Sequence, residues 1–313
     1  YARYSLPEKE GGRYFYSKND GLQNQSPLYV AEGVNGAPRM LIDPNAWSAD
    51  GTVALADGAP SPDGTKYAYT IQDAGSDWRV VEVIDVASGA KLSDGIEWLK
   101  FTGVDWSSDS SGFYYARYPE PEEGKAFQNV AVNRKVYFHR IGDPQSADRL
   151  IYEDPSRPEV DHQAGETEDG RFLIIYSWKG TDGNSVMLRD LKTRRAPVTV
   201  IGDFENNTSI LGNVGDVLYA LTDRDAPTKR IVAFNYGNAG PQGWRDVVPA
   251  GEESIQSASL VGGRIVVSYL KDAKSLVKVV SLDGALERTV ELPGIGSAYG
   301  FSGKVGDTET FFG

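Results

Sequence analysis

The sequence predicts an all-β protein, a seven-bladed β-propeller of four-stranded antiparallel blades whose seventh blade is truncated. Two observations carry this. A turn-plus-strand unit returns at near-constant spacing, and apolar runs of about five residues alternate with Gly/Asn/Asp turns along the chain. A third supports it: no segment holds a 3.6-residue apolar period beyond two turns.

The returning unit is a Gly-containing turn, often Asp-Gly, followed by a short aromatic or β-branched run. It occurs as "GGRYFYSKND" (11–20), "DGTKYAYTIQD" (63–73), "SGFYYARY" (111–118), "DGRFLIIYS" (169–177), "GDVLYALTD" (215–223), "GRIVVSYLKD" (263–272) and "GDTETFF" (306–312). With Gly12, Gly64, Gly112, Gly170, Gly215, Gly263 and Gly306 as markers, the intervals are 52, 48, 58, 45, 48 and 43 residues. That is the period of a four-stranded blade, so residues 1–313 read as one propeller domain.

Each interval subdivides alike. Before the marker lie segments rich in small residues, such as "TVALADGA", "DHQAGETE", "NNTSILGN", "SIQSASLV" and "GSAYGFSG". These suit inner strands, where a propeller leaves least room, although loops would share the composition. The marker strand follows, then a polar turn and a third strand such as "WRVVEVIDV" or "KVYFHRI". A fourth strand such as "PRMLID" or "DRLIYE" ends the blade. Val80-Val81 and Val83-Ile84 are adjacent apolar pairs, as expected of a strand covered on both faces. Asp63-Gly64 is therefore expected to turn from the first to the second strand of a blade. Only seven residues follow Gly306, and the chain opens "YARYSLPEKE" with no initiator Met. An unfinished blade leaves a bare edge, so the expectation is a portion of something longer.

Composition narrows the chemistry. The 313 residues carry a net charge of −12, 40% apolar residues and no cysteine. The acidic balance argues against nucleic-acid or anionic-membrane binding, which needs clustered Lys and Arg. Without cysteine there are no disulfides, thiolate metal ligands or thiol nucleophiles. There is no G-x-S-x-G nucleophile elbow and no EF-hand pattern, and the sequence calls for no cofactor or metal. A Ser-His-Asp arrangement would have to use His139 or His162, the two histidines present. His139, in mid-strand, reads as a packed histidine; His162 reads as structural or as lining the axial channel. The 44 Asp and Glu offer many carboxylate pairs, but sequence cannot say which two face each other. The stretch from Pro119 to Arg134, opening with "PEPEEGK", is the longest polar insertion, in the longest repeat. It is a solvated loop or a functional one.

Several stretches together resemble the propeller of the prolyl oligopeptidase family of serine peptidases: "GLQNQSPLYV" (21–30), "IDPNAWSADGTVAL" (42–55), "SPDGTKYAY" (61–69), "GSDW" (75–78) and "DWSSDSSGFYYARYP" (105–119). "SPDG" alone is shared with other propellers; "GLQNQ" followed by "DPN" and "DGTVAL" is more specific. The resemblance spans the chain. It implies a propeller that caps an α/β-hydrolase domain of the same parent polypeptide, filtering short proline-containing peptides that the parent cuts after proline. No part of that catalytic domain is in this sequence, so no triad residue can be assigned and the chain by itself is expected to be inactive. The resemblance places a substrate-contacting aromatic at Tyr114 or its neighbour Phe113, although such a ring could equally pack between blades. It makes the Tyr118–Asn133 loop a mobile gating and interface element, with Tyr118, Glu122, Lys125, Asn129 and Asn133 as its candidates. It also carries an expectation of a cytoplasmic protein, the bacterial periplasm being the alternative. A stand-alone TolB-like binding propeller is the competing reading.

Overall fold

The computed structural model describes residues 1–73, 76–124, 131–193 and 195–313. Apart from four single-turn 3-10 helices, the regular structure of these residues is β. The chain forms two compact units, Tyr1–Glu166 and Thr167–Gly313.

In the first unit, blade 1 is built from Arg13–Asn19, Leu28–Glu32 and Arg39–Ile42, preceded by two short pieces, Arg3–Tyr4 and Glu8–Glu10. Both pieces pair with Arg13–Asn19. Pro7, which has no N–H for the ladder, lies at the break between them. Blade 2 runs Ala54–Pro60, Lys66–Gln72, Trp78–Asp85, Lys91–Lys100, and blade 3 runs Val104–Trp106, Gly112–Arg117, Lys135–Arg140, Arg149–Tyr152. Asp161–Glu166 closes the unit and is, by strand order, the first strand of blade 4.

The second unit holds the other strands of blade 4, Phe172–Trp178, Ser185–Asp190 and Val198–Ile201. Blade 5 follows as Thr208–Val214, Val217–Thr222, Arg230–Asn235, Arg245–Val248, and blade 6 as Ser254–Val261, Arg264–Lys271, Lys274–Val280, Leu286–Thr289. Among the described residues there are thus six blades, not seven. The seventh copy, around Gly306, forms one isolated antiparallel bridge between Gly300 and Phe312, with the Phe301 and Phe312 rings stacked at 5.0 Å. Its two segments have no third strand beside them, and a lone hairpin buries too little to build a sheet.

Three of the marker turns share one device. In "SPDGT" the Ser61 hydroxyl and the Thr65 N–H donate to Asp63 Oδ1 at 2.6 and 2.9 Å, and the Gly64 N–H donates to the Ser61 carbonyl at 2.7 Å. Ser107 with Asp109 and Thr167 with Asp169 repeat the Ser/Thr-to-Asp bond at 2.7 and 2.9 Å. Burial works against the Asp63 carboxylate, but the donors outweigh it and hold its pKa below the usual value. Gly64 adopts φ +68°, the left-handed region that favours glycine, and a Cβ there would meet the Glu10 main chain.

Four of the five segments rich in small residues fall on first strands, the exception being "GSAYGFSG", which makes only the Gly300 bridge, and the structure supplies a reason. Within the first unit, the first strands of blades 2, 3 and 4 are neighbours. A Cβ on Gly103 would overlap the Asp57 carboxylate, and one on Gly165 would lie 3.1 Å from the carboxyl of Asp105. In each case, the glycine makes room for an aspartate of the preceding blade. On Trp78–Asp85, Val81 and Val83 are fully buried and Ile84 nearly so, while Val80 is 38% exposed. The Val83-Ile84 pair is thus covered on both faces, and the Val80-Val81 pair on one.

Candidate functional site

The candidate residues sit on blade 3, where the second strand, the polar loop and the start of the third strand meet Asp161–Glu166. Alternation along Gly112–Arg117 decides where each aromatic points. Phe113 is 0% exposed and turns into the core between blades 2 and 3, edge-on to Trp106 at 5.4 Å and tilted against His139 at 5.1 Å. No area is left on it for a ligand. Tyr114 turns to the other face, 3% exposed, with its hydroxyl donating to Glu166 Oε1 at 2.8 Å and its ring 4.9 Å from Phe138. Burial and the Glu166 carboxylate raise its pKa well above that of a free tyrosine.

Tyr118 begins the polar loop and is anchored on three sides. Its hydroxyl donates to Asp161 Oδ1 at 2.8 Å, its N–H donates to the Trp98 carbonyl at 3.1 Å, and its ring meets Trp78 edge-on at 6.4 Å. Burial together with Asp161 pushes its pKa up to about 12. Trp78 in turn packs edge-on against Trp98 at 5.5 Å and carries the Lys100 ammonium 4.0 Å above its ring. Trp98 has φ +70°, a conformation that a bulky side chain adopts only under constraint. At the far end of the loop, Asn133 takes φ +60°, which asparagine tolerates, and its N–H donates to the Pro158 carbonyl at 2.7 Å. Glu122 is exposed on the loop. Lys125 and Asn129 lie outside the described residues.

Beside the two loop ends opens a cavity of about 220 Å³, lined among others by Pro119, Asn133, Arg134, Arg157 and His162. Its charges are matched in sign: Arg134 lies 3.8 Å from Asp161, Arg157 pairs with Asp154 at 2.7 Å and Lys135 with Glu153 at 2.7 Å. Burial lowers the pKa of Arg134 against the support of Asp161 and Tyr118. Burial likewise pushes His162 down to about 4 despite Asp154 and Asp161, so this ring is neutral at physiological pH. His162 is buried, edge-on to Tyr152 at 4.9 Å. A neutral imidazole among paired charges gives a polar cleft with no dominant sign, suited to a peptide rather than to a strongly charged ligand.

The structure therefore places Asn133 in the lining of the cleft and leaves Phe113, Tyr114 and Tyr118 outside it, Tyr118 being bonded to Asp161 next to the lining residue Arg134. Sequence reasoning missed Trp78, Trp98, Arg134 and Asp161. The only available signals were that Arg134 ends the polar insertion and that Asp161 opens a first strand. Among the described residues, no group of three or more His, Asp or Glu is placed to hold a metal ion. His139 is no general base, because both its ring nitrogens face carboxylates, Asp148 at 2.7 Å and Asp94 at 2.9 Å. The "GLQNQ" and "DPN" stretches meet as a joint between blades 1 and 2. The Asn45 amide donates to the Gln25 carbonyl at 3.0 Å, and Gln25 bonds the main chain of Val53 and Leu55 at 2.7 and 3.1 Å.

Comparison with known proteins agrees along the whole chain. The family model for the prolyl oligopeptidase N-terminal β-propeller domain matches residues 1–313. The prolyl endopeptidase of Elizabethkingia meningoseptica is 35% identical over 312 residues, covering 100% of this chain and 44% of its own length. A structure solved in work on two prolyl endopeptidases superposes with a TM-score of 0.90 at 37% identity, over 100% of this chain and 45% of that one. Prolyl oligopeptidase B from Galerina marginata, solved with a 35mer hydrolysis and macrocyclization substrate, superposes with a TM-score of 0.90 at 25% identity, over 100% and 47%. The chain spans less than half the length of these relatives. With six blades of this sequence pattern and a family match from first residue to last, the chain belongs to the prolyl oligopeptidase family, as its N-terminal β-propeller domain.

Proposed function

We propose that this propeller is the substrate filter and gate of a serine peptidase that cleaves short peptides after proline. The catalytic α/β-hydrolase domain belongs to the same polypeptide, and the propeller itself carries none of the chemistry. The observation that carries the reading is the cleft on blade 3. Both ends of the Tyr118–Asn133 loop are pinned there, Tyr118 to Asp161 and Trp98, Asn133 to Pro158. Fixed attachments at both ends leave the blades undisturbed while a gate works, which is its mechanical need. Covering a hydrolase site with such a cap excludes water and bulky substrates, and so sets a size limit on the peptide. In this reading Tyr114 and Phe113 position the blade 3 sheet beneath the gate.

The test has two parts. The 313-residue chain should leave a Gly-Pro chromogenic substrate intact, whereas the longer polypeptide that contains it should hydrolyse it. In that polypeptide, Tyr118→Phe frees one loop end from Asp161 and should raise the rate on long peptides relative to short ones. Hydrolysis by the propeller alone would sink the division of labour, and an unchanged length preference in Tyr118→Phe would sink the gate.

A further inference from the structure

Blades 2 and 3 meet at a buried polar cluster that the proposed function does not use. His139, on the third strand of blade 3, is 0% exposed. Its Nε2 lies 2.9 Å from Asp94 Oδ1, on the fourth strand of blade 2, and its Nδ1 lies 2.7 Å from Asp148 Oδ1, just before the fourth strand of blade 3. Asp94 Oδ1 also accepts the Gly142 N–H at 2.6 Å, and Asp148 Oδ2 accepts the Tyr115 hydroxyl at 2.7 Å. Two carboxylates, one imidazole, one phenol and one amide close into a single network.

Hydrogen bonds from both ring nitrogens to ionised carboxylates need a proton on each nitrogen, which makes the ring an imidazolium. A neutral ring would instead need a carboxyl to carry that proton and donate it to the ring, and an imidazole ordinarily holds a proton more tightly than a carboxyl does, about 6.5 against about 3.9. With one imidazole between two carboxyl groups, the shared proton is therefore assigned to the ring.

We propose that His139 is a charged clamp joining blade 2 to blade 3, closed while the imidazolium donates to Asp94 and Asp148 and opened when it loses a proton. Removing the Nε2 proton turns a ring lone pair onto the Asp94 carboxylate and breaks the link between the blades, whereas removing the Nδ1 proton breaks the bond to Asp148 that holds the ring within blade 3. The surrounding elements supply no competing cation. Asp94 faces the ring from blade 2, where Lys91 is bonded to Glu82. Tyr115 and the apolar Phe113 face it from the second strand of blade 3, where Arg117 lies over the Tyr137 ring. On its own strand Lys135 pairs with Glu153 and Arg140 is exposed, and beyond the following turn Arg149 stacks on Phe138.

Burial by itself lowers the pKa of His139, but the bonds to Asp148 and Asp94 outweigh it and raise the net value above the usual one. A raised folded-state value means the native protein holds a proton that the unfolded chain releases near pH 6.5. The clamp's contribution is therefore complete below about pH 6.5 and disappears as pH rises through the folded value.

Histidine-selective ¹⁵N NMR of the 313-residue chain tests this directly, because His139 and His162 are its two histidines. At pH 7 one ring should carry protons on both nitrogens, shielded from exchange, and the other should be neutral. Asp94→Asn should move the titration midpoint of the doubly protonated ring to lower pH. The melting temperature of wild type should fall from neutral to alkaline pH more steeply than that of His139→Gln. Two neutral rings at pH 7, or an unmoved midpoint in Asp94→Asn, would overturn the clamp. The ring measurement needs only the wild-type chain, so it stands even where a variant folds poorly.

Discussion

In the first unit the aromatic residues between blades carry polar bonds. Tyr114 bonds Glu166, Tyr115 bonds Asp148 within the His139 network, and Tyr118 bonds Asp161. In the second unit the corresponding space is filled mainly by apolar side chains, and two tyrosine hydroxyls cross it to main chain, Tyr236 donating to the Ala196 carbonyl at 2.7 Å and Tyr176 accepting the Ile210 N–H at 2.9 Å. Phe172, Val186 and Leu188 of blade 4 pack on Leu218, Ala220 and Val232 of blade 5, and Ile231 and Val247 of blade 5 pack on Ile255, Ile265 and Val267 of blade 6. The same architecture is thus held by two kinds of joint. An apolar joint is non-directional and indifferent to pH, because it rests on area removed from water. A polar joint fixes an angle and a register, and it fails when a partner changes protonation state. The described candidates Tyr118, Glu122 and Asn133 lie in the unit with directional joints.

Substitutions can sharpen that contrast. The largest effect is expected from Leu218→Ala in the apolar unit, which empties a fully buried site and should cost about 2–5 kcal/mol. Denaturant titration should show that cost to be the same at pH 5 and pH 9; a cost that varies with pH would break the comparison. Tyr115→Phe keeps the ring but removes the donor to Asp148 Oδ2, for an expected loss of about 1–3 kcal/mol. Unlike the leucine variant, it should also alter the alkaline limb of the melting curve.

The acidic limb belongs to His162. Its folded value of about 4 lies below the ordinary value of about 6.5. Between the two, the unfolded chain binds a proton that the native protein refuses, so stability is present above pH 6.5 and is lost as pH falls towards 4. Thermal melts of His162→Gln against wild type across that range should show the slope reduced in the variant; equal slopes would remove His162 from the account. The smallest effect is expected at the turns. Asp63→Ala strips the acceptor from Ser61 and Thr65 and should cost about 1 kcal/mol, read as a small drop in midpoint with unchanged cooperativity.

The turns are also where the sequence is most legible. Ser/Thr-x-Asp followed by a residue of positive φ, Gly64, Ser110 or Gly170, specifies a local bonding pattern within five residues, and it precedes a blade's second strand at Asp63, Asp109 and Asp169 alike. Four of the five small-residue segments fall on first strands for a related reason: the space they leave is claimed by the preceding blade, as at Gly103 and Gly165. The marker at Gly306 shows the limit. It has the glycine of the other six markers, yet pairing there stops at one bridge, because a sheet needs neighbours that a turn signal cannot supply.

By itself, then, the sequence determined the β class, the blade period with one blade too many, the strand positions of the first six copies and the family resemblance, all of which rest on periodicities and motifs encoded within a few residues. Only the tertiary structure decided which of two adjacent aromatics enters the core, Phe113 inward and Tyr114 onto Glu166. It alone chose Asp94 and Asp148 from 44 acidic residues as the partners of His139, and brought Asp161 to Tyr118. Asp94 lies 45 residues from His139, and Asp161 lies 43 from Tyr118. These contacts join strands of different blades, and their geometry exists only once those blades have packed.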